Sequence, residues 1–243
     1  MVIKAWRDRF KESLKIKMLD RKHHEIILKK ILADIYRDNN LGASIAFKGG
    51  TCLYFFYNLD RFSTDLDFNV IADTLNEKAM TSILNKYLNI GQARSKRNTW
   101  FWVGSFEKGK QKIKVEISKG NYPDKYITQK FYGLTVPILS KDCMFAHKLC
   151  ALTDRKKLQN RDVYDAFFMF QNGFGINEEI IEIRTNKSPE EYFKDLIPFL
   201  KKNVNPNLIL DGLGEVLGEK QKSWVKSSLL GKLLFELEIR ISS

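Results

Sequence analysis

Residues 47–68 read FKGGTCLYFFYNLDRFSTDLDF, and the fold is decided there. Gly49 and Gly50 close a short apolar segment and open another that runs through Thr51 to Tyr57. Glycines let backbone N–H groups approach a phosphate closely, and the start of the helix that follows adds favourable partial charge. Asp65 and Asp67 then sit one residue apart. Side chains alternate across a strand, so both carboxylates share one face while Leu66 and Phe68 share the other. Two carboxylates side by side repel each other unless a cation lies between them. Mg²⁺ fits, because it takes oxygen ligands and is shared between carboxylates and substrate phosphates. The run therefore predicts a site for a nucleoside triphosphate and a metal.

Working outward, residues 22–38 place Ile27, Ile31 and Ile35 on one face of an amphipathic helix. Ser44 to Phe47 reads as a strand, Thr51 as the cap of a helix over 52–57, and Thr64 to Val70 as the strand bearing the aspartates. A helix over 74–88 is expected, with Thr74 as cap and Glu77 completing a capping box. Residues 99–106 and 111–118 predict a hairpin around Glu107 to Lys110, and Thr135 to Leu139 a further strand. From Ser140 the pattern is helical. Ser140 caps a helix to about Thr153, a second starts near Arg161 and ends before Gly173, and Ser188-Pro189-Glu190-Glu191 starts a third. Helices are expected over 189–202, 206–217 and 219–240. The reading is a mixed α/β domain over 1–139 followed by a helical domain over 140–243.

The chain has 243 residues, enough for a sizeable core, and 44% hydrophobic content, ordinary for a globular protein. No apolar stretch is long enough to span a bilayer, and the opening MVIKAWRDRFKES lacks the apolar region of a signal peptide. Cys52, Cys143 and Cys150 form no C-x-x-C pair and read as free thiols in a reducing cytoplasm. The net charge is +12. Residues 1–48 carry twelve Lys and Arg against six acids, and residues 94–130 carry ten against three, with Trp100, Trp102, Tyr122 and Tyr126 interleaved. Basic residues neutralise phosphates and aromatic faces stack on bases, so the second block suits RNA, though its rings suit a core equally well.

Gly-Gly-Thr followed by D-x-D resembles the nucleotidyltransferase superfamily that includes DNA polymerase beta, where Gly-Ser is commoner than Gly-Thr. The wider pattern K-G-G-T…R-F-S-T-D-L-D-F is similar to the AbiEii/AbiGii toxin family of bacterial toxin–antitoxin and phage-defence systems. A second block carries the same resemblance: Lys148-Leu-Cys-Ala-Leu-Thr-Asp-Arg155, then Arg161-Asp162-Val-Tyr-Asp165. The likeness covers about residues 46–168, and nothing beyond about residue 170 matches a motif.

The resemblance implies a polymerase-beta-like core followed by helices, with Asp65 and Asp67 holding Mg²⁺ or Mn²⁺ and an NTP as substrate. Glu116 alternates with Ile113, Val115 and Ile117, so it faces a polar side. The resemblance makes it a third carboxylate for a second metal or for proton transfer, while an acid balancing nearby lysines reads equally well. Lys148 lies mid-helix among apolar neighbours, so its ammonium must find an anion, and a triphosphate would serve. Arg155 follows two helical turns along the same face. Asp162 and Asp165, three apart, share a face, and the resemblance gives one of them an active-site role. It implies that the helical domain contributes Lys148 with Asp162 or Asp165 to the cleft. Lys48, Gly49, Gly50, Thr51, Arg61 and Ser63 are the remaining candidates for nucleotide contact. The implied acceptor is RNA, with tRNA 3′ ends foremost, and the implied partner a separately encoded antitoxin. Transfer to a protein hydroxyl or a small molecule stays open, as does a non-catalytic nucleotide- or RNA-binding protein.

Overall fold

The computed structural model describes residues 20–107 and 111–242. The expected turn at Lys108–Lys110 lies outside them. The chain forms two compact units. Of the described residues, one takes in those up to Cys52 with those of Thr64–Lys119 and Thr128–Pro137; the other takes Leu53–Ser63, Gly120–Ile127 and those from Ile138 on.

The first unit opens with α1 (Arg21–Arg37), capped by Asp20, whose side chain accepts from the His23 N–H. Its inward stripe of Ile27, Leu28, Ile31, Leu32 and Ile35 is buried, as the helical period requires. Next come α2 (Asn39–Ser44), β1 (Ile45–Lys48), α3 (Gly49–Phe56), β2 (Leu66–Val70) and α4 (Glu77–Asn85). Five strands follow: β3 (Asn89–Lys96), β4 (Thr99–Ser105), β5 (Ile113–Lys119), β6 (Tyr126–Phe131) and β7 (Leu134–Leu139). With β1 and β2 they make a mixed seven-stranded sheet in the order β3-β4-β5-β2-β1-β7-β6. Strand β2 lies antiparallel to β1 and parallel to β5. Ile45, Phe47, Leu66, Phe68, Ile113, Val115 and Ile117 are buried, and the Phe47 and Phe68 rings meet at 5.2 Å. The expected hairpin is present as the antiparallel pair β4 and β5.

The second unit carries α5 (Lys141–Asp154), α6 (Asn160–Gln171), α7 (Glu178–Thr185), α8 (Pro189–Asn203), a 3₁₀ turn (Pro206–Leu208) and α9 (Glu219–Ser242). Helix α9 buries Val225, Leu229, Leu233 and Leu237, one residue per turn. Helix α8 starts with the full capping box of Ser188 and Glu191.

The structure corrects several expected boundaries. Helix α3 begins at Gly49, so Thr51 lies inside it rather than at its cap. Asn76, not Thr74, caps α4. Ser140 stands at the N-cap of α5, but its hydroxyl bonds the Asp142 side chain at 2.5 Å instead of the helix backbone. The expected helix over 206–217 is reduced to the 3₁₀ turn. Proline sets its start, and Gly212, with φ of 72°, leaves the helical region. Strands β3 and β6 and helices α2 and α7 were not anticipated.

Candidate active site

The acidic site is assembled at the C-terminal end of β1 and the start of β2. Gly49 has φ of 80°, a conformation that L side chains rarely adopt. A Cβ there would stand 2.6 Å from Asp67 Oδ2. The glycine is thus required twice, for its backbone turn and for the carboxylate packed against it. Asp67 lies opposite Lys48 on β1 and opposite Glu116 on parallel β5. Registered neighbours leave the same face of a sheet, so Asp67 and Glu116 point the same way.

Asp65 precedes β2, so something other than strand alternation positions it. The Thr51 hydroxyl donates to its carbonyl oxygen. The Lys114 N–H donates to its Oδ1 at 3.2 Å. The neighbouring Thr64 carbonyl is held at 2.9 Å by Nε2 of the buried His24. Thr51 is fully buried, and its hydroxyl, expected at a phosphate, is engaged by Asp65. Lys48 Nζ donates to Ser118 Oγ at 2.7 Å, and Lys114 Nζ lies 2.8 Å from Glu116 Oε2.

Burial pushes the Asp67 carboxyl above its ordinary range. Lys114 and Lys48 pull it down, while Asp65 and Glu116 push it further up. Three carboxylates therefore face two ammonium groups, and Asp67 holds its charge at a cost. The donors are hard oxygens, and this set fits a divalent cation. Among the described residues no three His, Cys, Asp or Glu side chains close a cage of their own.

The second unit holds a buried charge network. Lys148 Nζ donates to Asp162 Oδ1 at 2.7 Å and lies 2.9 Å from Asp165 Oδ2. Arg61 grips Asp165 with both prongs, Nε to Oδ1 at 2.6 Å and an Nη to Oδ2 at 2.7 Å, and gives its other Nη to the Phe62 carbonyl. Arg155, half exposed, places Nε 3.4 Å from Asp162 Oδ2. Both aspartates therefore touch Lys148, and Asp165 joins it to Arg61. Arg61 is 3% exposed, so the guanidinium expected on a phosphate is engaged inside the protein. Burial lowers the Lys148 ammonium, but Asp165 and Asp162 outweigh it and hold the group above its ordinary value. Two of its three N–H donors face aspartates, which leaves one for a ligand. Ser63, half-buried, lies in the loop between α3 and β2.

Residues 30–213 match the model of one protein family, described as the nucleotidyl transferase AbiEii toxin of type IV toxin–antitoxin systems. The chain belongs to the AbiEii family. It is accordingly a nucleotidyltransferase, the toxin of a toxin–antitoxin pair, and an antitoxin is its implied partner. No curated protein matches the sequence. Among solved structures, JHP933 from Helicobacter pylori is similar with a TM-score of 0.59 at 19% identity, covering 93% of this chain and 94% of that one. A second structure, of a candidate nucleotidyltransferase from H. pylori, has a TM-score of 0.58 at 20% identity, covering 90% and 94%. These likenesses show that the AbiEii chain shares their fold. Among the described residues no helix is long and apolar enough to cross a membrane.

Sequence reasoning missed Lys114 and Ser118. Both lie on β5 at the same parity as Glu116, so the alternation that picked out Glu116 could have picked out its ionic partner Lys114 and the partner of Lys48, Ser118. It also missed His24, whose contact with Thr64 spans forty residues and leaves no local signal.

Proposed function

We propose that this AbiEii-family enzyme transfers a nucleotide from an NTP to a hydroxyl of RNA, with the tRNA 3′ end as acceptor, and requires Mg²⁺. The observation that carries the reading is the close approach of Gly49 to Asp67, with Glu116 in register on the adjoining strand. A glycine turn built to bring backbone against a carboxylate suits a triphosphate that must meet a metal ligand.

In this reading the backbone at Gly49 and Gly50 cradles the triphosphate. Asp65, Asp67 and Glu116 would hold Mg²⁺, which would neutralise the phosphates. The acceptor oxygen bonds to the α-phosphorus as the bond to the bridging oxygen breaks, and pyrophosphate leaves with that electron pair. The proton of the attacking hydroxyl passes to Glu116. We assign Lys48, Lys148 and Arg155 to the charge that builds on the phosphates, with Ser63 beside the nucleotide. Asp162 and Asp165 position Lys148, Arg61 positions Asp165, and Thr51 positions Asp65. The enzyme acts in the cytoplasm, where NTPs and tRNA meet, and the antitoxin restrains it.

Purified protein with Mg²⁺ and each labelled NTP should label deacylated tRNA. Asp65→Ala and Asp67→Ala should lower the rate by about a hundredfold or more while the protein stays folded. Label on protein instead of RNA would replace the acceptor. Absence of transfer to RNA, protein or small molecules would overturn the reading.

A further inference from the structure

Glu116 has neighbours on both sides along one row of the sheet. The registered partners run Lys48, Asp67, Glu116, Phe101 and Arg94, on β1, β2, β5, β4 and β3. Registered residues leave the same face, so all five share the face of the acidic site. Trp100 and Trp102 leave the other face, where their Nε1 groups donate to Glu77 and Thr81 of α4. Packing thus engages these two indoles, and half-exposed Phe101 offers its ring on the site face. Arg94 reaches that face through a bulge. Ile90 pairs with Gly104, yet Gln92 pairs with Val103, so Gly91 is an extra residue in β3. Without it Arg94 would lie opposite Trp100 and leave the α4 face, since a one-residue slip turns every side chain over. At the bulge lies a hollow of about 380 Å³ whose charged lining is Arg94 and Lys112, with no acid. Both cations are exposed, and among the described residues neither forms an ion pair. Gln92, its amide oxygen turned towards Arg94, accepts from Nε and Nη2 at 2.9 Å, which orients the guanidinium without neutralising it.

We propose that the acceptor strand lies across β4 and β3 on this face, its terminal base stacked on Phe101 and the phosphate behind that base held by Arg94 and Lys112. The inference rests on the reading of the acceptor as RNA. The order of the row sets the direction. Gly49 and Lys48 stand on one side of Asp67 and Glu116, where the triphosphate is placed, so the attacking hydroxyl comes from the other. Phe101 is one strand beyond Glu116 and Arg94 two, a span of about 10 Å. A nucleotide whose sugar hydroxyl meets Glu116 has its base and its 5′ phosphate within that span. Local charge argues for the occupant. The hollow holds two uncompensated cations, both from the stretch around 94–130 where basic residues outnumber acids ten to three. A guanidinium with free N–H donors beside an ammonium suits a phosphodiester, and the adjoining ring suits any base.

The test is anisotropy of 5′-labelled hexacytidylate with the full chain, over a salt series, without NTP or metal. Arg94→Gln and Lys112→Gln should each flatten the log–log salt slope by about 0.7, one phosphate contact's worth. Lys232→Gln, the same charge change on the exposed side of α9, should leave the slope alone. Phe101→Leu should weaken the hexamer about fivefold or more, whereas Phe101→Tyr, which keeps a ring, should retain most of the binding. In the transfer assay, Arg94→Gln should raise KM for tRNA and leave KM for NTP unchanged. Melting curves show whether each variant folds. The proposal is overturned if the wild type does not bind the hexamer, if Arg94→Gln flattens the slope no more than Lys232→Gln, or if Phe101→Leu and Phe101→Tyr bind alike. Asp67→Ala separates the two readings, since it should lose transfer and keep hexamer binding. Hexamer binding that depends on Arg94, in a wild type that transfers nothing, would sink the catalytic reading alone. Transfer to tRNA that is indifferent to Arg94, Lys112 and Phe101 would sink the acceptor track alone.

Discussion

At Gly49 two independent demands fall on one residue. Its backbone occupies the left-handed region, and its missing side chain leaves room for Asp67 Oδ2. Gly49→Ala therefore meets a backbone cost of about 1–2 kcal/mol and a clash that displaces the carboxylate. Activity should fall about a hundredfold, since a displacement near 1 Å at a reacting centre costs that much. An alanine variant with wild-type kcat/KM would show that the carboxylate needs no such placement. Asp67 itself supports a thermal prediction. Its folded pKa is raised, so the ionised form costs stability at neutral pH and a bound cation returns it. Mg²⁺ at a hundred times its Kd should stabilise the wild type by about 2.7 kcal/mol, or about 5–10 °C in Tm for a chain of this size. Asp67→Asn should melt higher than wild type without metal and respond little to Mg²⁺. An equal Mg²⁺ response in both would remove Asp67 from the ligand set.

Helices α5 and α6 pack through apolar residues such as Phe145 and Phe170, and Lys148 on the first is tied to Asp162 and Asp165 on the second. For Asp165, burial pushes the carboxyl up, but Arg61 and Lys148 outweigh it and hold it below the usual range. A depressed folded pKa gives stability that is present above the unfolded value, about 3.9, and is lost as pH falls through the folded one. Asp165→Asn should therefore be less stable at pH 7, where Arg61 loses its partner. Its Tm should also fall less steeply than that of wild type below about pH 4. An unchanged acid slope would place the acid sensitivity elsewhere. Elements such as these were legible because their cues are local: the stripe of α1, the capping box of α8, the alternation of β5. Strands β3 and β6 were not, because they are mostly exposed and carry polar runs such as Gln92-Ala-Arg-Ser-Lys96, where no buried face imposes a period. The segment 206–217 misled for the opposite reason. Leu210, Leu213 and Leu217 mimic a helical stripe, while Gly212, at φ of 72°, breaks the backbone that would carry it. At the site, the D-x-D spacing draws attention to Asp65 and Asp67, but Asp65 lies ahead of β2 and is held by Thr51 and the Lys114 N–H rather than by strand alternation. That Thr51 and Arg61 are engaged within the protein could not be read, since pairs such as Arg61 and Asp165 are set by packing across a hundred residues of chain.

Across the whole molecule the dominant quantity is charge. A chain at +12 attracts any polyanion, and such attraction has a thermodynamic signature that separates acceptors. Neutralising RNA phosphates releases condensed counterions, so binding weakens with salt at a log–log slope of about −0.7 per contact on single strands. An acceptor end engaging about five phosphates should then give a slope near −3.5, and tRNA affinity should drop more than about a hundredfold between 50 and 200 mM salt. NTP, with a few phosphates held at one fixed site, should show a much shallower dependence over the same range. The comparison is decisive because both ligands are anions and meet the same protein. If tRNA binding proved no more salt-sensitive than NTP binding, the basic surface would have no part in acceptor recognition, and a protein or small-molecule hydroxyl would become the better acceptor.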